Sequence, residues 1–151
     1  MPLKGSAETA AAIGSNYKYI LLGEDDIDDE ELLREVFVRI DPSYSLEFVN
    51  NGKDVINRLR ELEKHGMPRL IVLDYNMPTL NGAEILQELK RFNRFDAIPK
   101  IIWSTSDSDT YRTICLQLGA CDYVIKPSNM HGLTEVARYM LSFCTVQGIK
   151  H

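Results

Sequence analysis

From residue 17 onward, short apolar runs rich in β-branched residues alternate with polar segments in which apolar residues recur at helical spacing. Runs bounded by turn-forming residues predict strands, and recurrence at i, i+3, i+4, i+7 predicts one-faced helices. The runs place strands at Tyr19–Leu22, Leu46–Val49, Leu70–Leu73, Ile101–Trp103 and Tyr123–Ile125. Those that are apolar nearly throughout read as strands covered on both faces. The helical stripes between them are Leu32, Leu33, Val36, Phe37, Ile40, then Val55, Ile56, Leu59, Leu62, then Ile85, Leu86, Leu89. Tyr111, Ile114, Cys115, Leu118 and finally Leu133, Val136, Ala137, Met140, Leu141 complete the set. Asn81 with Glu84 three positions on has the form of a capping box, and Gly119 ends its helix as a C-terminal breaker. Five strand–helix units in strict alternation predict an α/β domain on a parallel sheet.

Length and composition leave this picture standing. A chain of 151 residues holds one domain of ordinary size, and 44% hydrophobic with 26% charged residues is globular composition. The pattern assigns residues 17–146 to that domain, 1–16 to a flexible leader and 147–151 to a C-terminal tail. Three cysteines, Cys115, Cys121 and Cys144, fit neither a paired redox motif nor a metal site and imply reduced thiols in a cytoplasmic protein.

Charge changes the picture more. The net charge is -5, yet seven of the eight residues from Glu24 to Glu31 are acids, and without them 17 basic residues face 15 acids. The acidity is local. No basic footprint for nucleic acid exists, and no apolar run is long enough to span a bilayer. Glu24 and Asp25 directly follow the first strand, Asp74 follows the third, Ser104 and Thr105 follow the fourth, and Lys126 with Pro127 follows the fifth. Parallel strands bring these C-terminal ends to one edge, where open α/β sheets hold their sites. Like charges about 4 Å apart repel by ~4 kcal/mol at an effective dielectric near 20, so the acids need a cation beyond one lysine. Oxygen-only donors on an open site select a hard divalent ion, Mg2+ above others. A carboxylate beside that ion, a hydroxyl and an ammonium suits phosphoryl transfer, with Asp74 as the attacking group.

The four segments "LLGEDD", "VLDYNMPTLNG", "IIWSTSD" and "YVIKP", in that order, resemble the receiver domain of two-component response regulators, in the single-domain, chemotaxis-regulator-like form. The likeness runs from Tyr17 to about Phe143. It implies a doubly wound, flavodoxin-like fold with strand order 2-1-3-4-5. It also implies that Asp74 accepts phosphate from a sensor histidine kinase or histidine phosphotransfer protein. Glu24, Asp25 and Asp74 would bind Mg2+ through side chains and Asn76 through its main-chain carbonyl. Ser104 would hydrogen-bond the phosphoryl group, Lys126 would pair with it, and Tyr123 would be the switch aromatic. The output would be a protein-binding surface on the fourth helix, fifth strand and fifth helix, including Tyr111, Tyr123 and Tyr139 where exposed. The downstream target stays unnamed, and a homodimer stays open. Glu24 in place of aspartate, Gly23 before it and Trp103 in the fourth strand depart from the family's usual residues, and Trp103 reads as core.

Other readings compete. Asp26, Asp28 and Asp29 suit a helix N-terminus, with Asp26 within reach of the metal through water. Glu24, Asp26, Asp28 and Glu35 occupy calcium-loop positions, but Asp29 stands where that loop needs glycine. A haloacid dehalogenase-like phosphohydrolase would carry a second aspartate two residues after the nucleophile, whereas Asp74 is followed by Tyr75 and Asn76. A degenerate receiver acting as a constitutive binding module would not need Asp74, Ser104 and Lys126 together. His65, His131 and His151 read as surface residues.

Overall fold

The computed structural model describes residues 18–62 and 66–149, with side chains described as far as 144. The expected leader, residue 17, His65, Lys150 and His151 lie outside the described residues. In chain order the elements are β1 (Tyr19–Gly23), α1 (Ile27–Ile40), β2 (Ser45–Val49), α2 (Gly52–Arg60) and β3 (Leu70–Asp74). They continue with α3 (Gly82–Leu89), a 3-10 turn (Asn93–Phe95), β4 (Lys100–Ser104), α4 (Asp109–Gln117), β5 (Asp122–Ile125) and α5 (Met130–Ile149). The strands form one parallel sheet in the order β2-β1-β3-β4-β5. That is the doubly wound order implied by the sequence motifs.

The apolar strands are the central ones: β1, β3 and β4 are buried along their whole length, while the edge strands β2 and β5 are only partly covered. Side chains alternate across each strand, so neighbours in sequence enter different cores. Ile20, Leu22, Val72, Ile101 and Trp103 meet Leu33, Val36 and Phe37 of α1 and Leu133, Ala137 and Met140 of α5. Tyr19, Leu21, Ile71, Leu73 and Ile102 meet Val55 and Leu59 of α2, Ile85 and Leu89 of α3 and Cys115 of α4. Two expected stripes are wider than the buried faces: Leu32 on α1 and Ile114 on α4 are exposed. Both flank the covered residues at helical spacing, where a stripe runs out of partner surface.

The punctuation acts as expected. Asn81 and Glu84 form a reciprocal capping box at the start of α3. Gly119 has φ +105, a backbone state that L side chains disfavour, and the chain leaves α4 there. Gly23 is also accounted for: a Cβ at that position would come within 3.2 Å of both Leu73 and Val55. A side chain there would press on those two neighbours, which would have to give by a few tenths of an ångström.

Candidate functional site at the carboxyl edge of the sheet

Glu24 follows β1 and keeps its backbone N–H on the Val49 carbonyl of β2 at 2.9 Å, so its position is set by sheet pairing. Its side chain is buried. Oε2 accepts the Asp26 N–H at 3.0 Å. Oε1 accepts the Trp103 indole N–H at 3.0 Å and lies 3.0 Å from Lys126 Nζ. Asp25 is exposed beside it, and Asp74 is buried at the end of β3. Asp74 Oδ1 accepts the Asn76 N–H at 2.9 Å, which folds the chain after β3 back beside the carboxylate. One carboxylate oxygen each from Glu24, Asp25 and Asp74 lies within 4.8 Å of the others.

Lys126 binds this group together. Its N–H pairs with the Ser104 carbonyl at 2.7 Å, which continues the β4–β5 ladder and aims the side chain along the edge. The ammonium donates to Asp74 Oδ2 at 2.7 Å and Asp29 Oδ2 at 2.8 Å. It also lies 4.9 Å from the Trp103 ring centroid. Burial alone would pull this lysine's pKa down, but the hydrogen bonds to Asp29 and Asp74 and the charge of Glu24 outweigh it and hold it raised. Glu24 is pushed up from 4.5 to about 7, first by burial and then by the charge of Asp74, against the Asp26 N–H and Lys126. One ammonium therefore pairs with Glu24, Asp29 and Asp74, while Asp25 shares the cluster with Glu24 and Asp74. The donor set fits a hard divalent cation: the oxygens are clustered, anionic and under-neutralised.

Ser104 is fully buried at the end of β4, and its Oγ accepts the Ser106 N–H at 3.0 Å. The Ser106 carbonyl in turn accepts the Tyr123 hydroxyl at 2.7 Å. Tyr123 is thus an inward-facing, buried residue, and of the tyrosines expected on the output surface only Tyr139 is clearly exposed, with Tyr111 partly so. Arg112 closes over the Tyr123 ring and donates to its carbonyl at 2.9 Å. Tyr111 stacks on Tyr75, the residue after Asp74, with ring centroids 4.3 Å apart. A groove lined by Asp29, Leu32, Trp103, Lys126, Met130 and Leu133 opens beside the ammonium.

The edge thus brings together Glu24, Asp25, Asp74, Ser104 and Lys126, as the sequence indicates. It adds two residues that sequence reasoning assigned elsewhere. Asp29 reads as helix-terminus charge, which it is in the first turn of α1, and it is also an ion-pair partner of Lys126. Trp103 reads as core, which it is, but it also hydrogen-bonds Glu24. The one available signal for Trp103 was its place directly before Ser104 in a strand ending at the site.

Known proteins agree with this architecture. Residues 20–138 match the response regulator receiver domain family. A probable methanogenesis regulatory protein, FilR2 of Methanothrix harundinacea, is 32% identical over 130 residues, covering 82% of this chain and 84% of its own. A protein-glutamate methylesterase/protein-glutamine glutaminase of Treponema denticola is 34% identical over 130 residues, which are 83% of this chain and 34% of that protein. The chain thus spans about a third of that relative. Among solved structures, the phosphorylated cyanobacterial phytochrome response regulator RcpA matches with a TM-score of 0.76 at 26% identity, covering 85% of this chain and 94% of the other. The Mn2+-bound form of the response regulator Rcp1 matches with a TM-score of 0.73 at 28% identity, covering 83% and 93%. Among the described residues no helix is long and apolar enough to cross a membrane. Strand order, acidic edge and sequence all lead to one assignment: the chain belongs to the response regulator receiver domain family.

Proposed function

We propose that the chain is a phosphorylation switch in which Asp74 takes a phosphoryl group from a phosphohistidine of a sensor histidine kinase or histidine phosphotransfer protein. The observation that carries this reading is the Lys126 ammonium on Asp74 Oδ2 at 2.7 Å, within a cluster holding more carboxylates than it neutralises. A carboxylate oxygen of Asp74 attacks phosphorus, a P–O bond forms, the P–N bond breaks, and its electron pair returns to the imidazole ring. Mg2+, held by Glu24, Asp25, Asp74 and the Asn76 main-chain carbonyl, would supply the positive charge that the phosphoryl oxygens need. Lys126 exchanges a carboxylate contact for a phosphoryl oxygen, and the Ser104 O–H donates to another. Ser104 is suited to this because its acceptor side is occupied by Ser106 while its proton is free to turn. RcpA in phosphorylated form and Rcp1 with Mn2+ support both parts of the reading.

Movement of Ser104 toward the phosphoryl group carries the Ser106 segment with it and so changes what the Tyr123 hydroxyl binds. The readout is a protein-binding surface on α4, β5 and α5 of a cytoplasmic signalling protein. An aspartyl-phosphate hydrolase is disfavoured because Asn76 stands where that chemistry needs a second carboxylate. Acetyl phosphate with Mg2+ is expected to add one phosphoryl group to the wild type and none to Asp74→Asn, read by intact mass at low temperature. An undiminished adduct in Asp74→Asn places the nucleophile elsewhere and overturns the reading.

A further inference from the structure

Trp103 touches both signs of charge at the site. Its N–H edge meets Glu24 Oε1 at 3.0 Å, and its face lies 4.9 Å from the Lys126 ammonium. The ring is buried against the α1 and α5 side of the sheet, so its packing is fixed independently of the charges it meets. Glu24 gains its orientation from outside its own strand: the Asp26 N–H holds one oxygen and the indole holds the other. A glutamate has one more rotatable bond than an aspartate, and without both donors its carboxylate would have more ways to turn from the cluster. Buried indole N–H groups commonly seek an acceptor, so the contact alone could be mere satisfaction of the ring. Two features argue for more. The acceptor is a carboxylate of the cluster rather than a backbone carbonyl, and the same oxygen is shared with Lys126.

We infer that Trp103 is a positioning residue that fixes the Glu24 carboxylate for divalent-cation binding and seats Lys126 against its ring. The inference rests on the proposed reading of the site as a metal-dependent phosphoacceptor. Partners that orient a metal ligand are worth about 10–100-fold in metal affinity. Trp103→Phe keeps an aromatic face for Lys126 and removes the donor to Glu24.

The test is Mn2+ titration, followed by the electron paramagnetic resonance of the free ion, on wild type, Trp103→Phe, Glu24→Ala and the double variant. The expected result is an affinity loss of about tenfold or more in Trp103→Phe and no further loss when that change is added to Glu24→Ala. A chain carrying benzothiophene in place of the Trp103 indole, which keeps size and shape without the N–H, should lose affinity as Trp103→Phe does. It decides the matter if the phenylalanine variant fails to fold. Wild-type affinity in the benzothiophene chain, or an equal loss on the Glu24→Ala background, overturns the positioning role while leaving the metal site standing. A wild type that binds no Mn2+ overturns the metal site itself and this inference with it.

Discussion

Two lysines lie at opposite ends of the sheet, Lys100 buried and Lys126 mostly so, and their partners differ in kind. Lys100, at the start of β4, donates to the carbonyls of Phe95 at 2.6 Å and Ile98 at 2.8 Å. Burial lowers its pKa, with the charge of Asp96 opposing. Lys126, just past β5, is surrounded by Glu24, Asp29 and Asp74, and its pKa is raised. Backbone carbonyls are neutral and immobile, so Lys100 closes the 3-10 turn and has no contact to exchange. Carboxylates are charged and in excess, so Lys126 holds contacts that an incoming anion can replace. Of the two, only Lys126 has partners that can be traded, and the proposed phosphoryl chemistry falls on that lysine.

The largest expected effect comes from removing the second lysine. Lys126→Ala leaves three carboxylates without their shared ammonium and should cost the metal-free protein about 3–5 kcal/mol in urea unfolding. Mg2+ should restore part of that loss, because another cation takes over the charge, while phosphorylation no longer alters partner binding. Lys100→Met should cost roughly 1–3 kcal/mol, the price of two carbonyls losing their donor, and Mg2+ should not change it. Equal recovery of both variants by Mg2+ would erase the distinction between the two ends.

The smallest effect is a pH slope. Glu24 rises from 4.5 to about 7 on folding, so its contribution to metal-free stability is full below 4.5 and is lost as pH climbs through about 7. Divalent binding runs the other way, since the carboxylate must first lose its proton. Below pH about 7 the affinity should fall by up to about tenfold per unit, and Glu24→Gln should flatten that slope while Lys100→Met leaves it intact. A slope unchanged by Glu24→Gln would assign the titration to another group.

Much of this was legible in the chain. The central strands are continuous apolar runs because both of their faces are covered, and strand ends in a parallel sheet must share an edge, so Glu24, Asp25, Asp74, Ser104 and Lys126 could be gathered without coordinates. Asp29 could not be. Its reach to Lys126 depends on how the first turn of α1 packs against a loop 97 residues later. The other acids of this stretch have local partners: Asp26 caps α1 by accepting from Asp28 and Asp29, and Glu35, offered as a calcium-loop ligand, pairs with Arg39. Trp103 was hidden by the rule that made it core. Alternation says which face a side chain takes, not how far a large ring extends along it. The inward pose of Tyr123 depends on the hydroxyl's partner, which the strand pattern does not specify.

Trp103 has an optical consequence as well. It is the chain's single tryptophan, so excitation at the red edge of protein absorbance, beyond the tyrosines, addresses one indole. That indole lies 4.9 Å from an ammonium and shares a hydrogen bond with a carboxylate, and its emission colour depends on the field those charges set across the ring. The unlabelled protein therefore emits from its own site, with no second indole to dilute the signal.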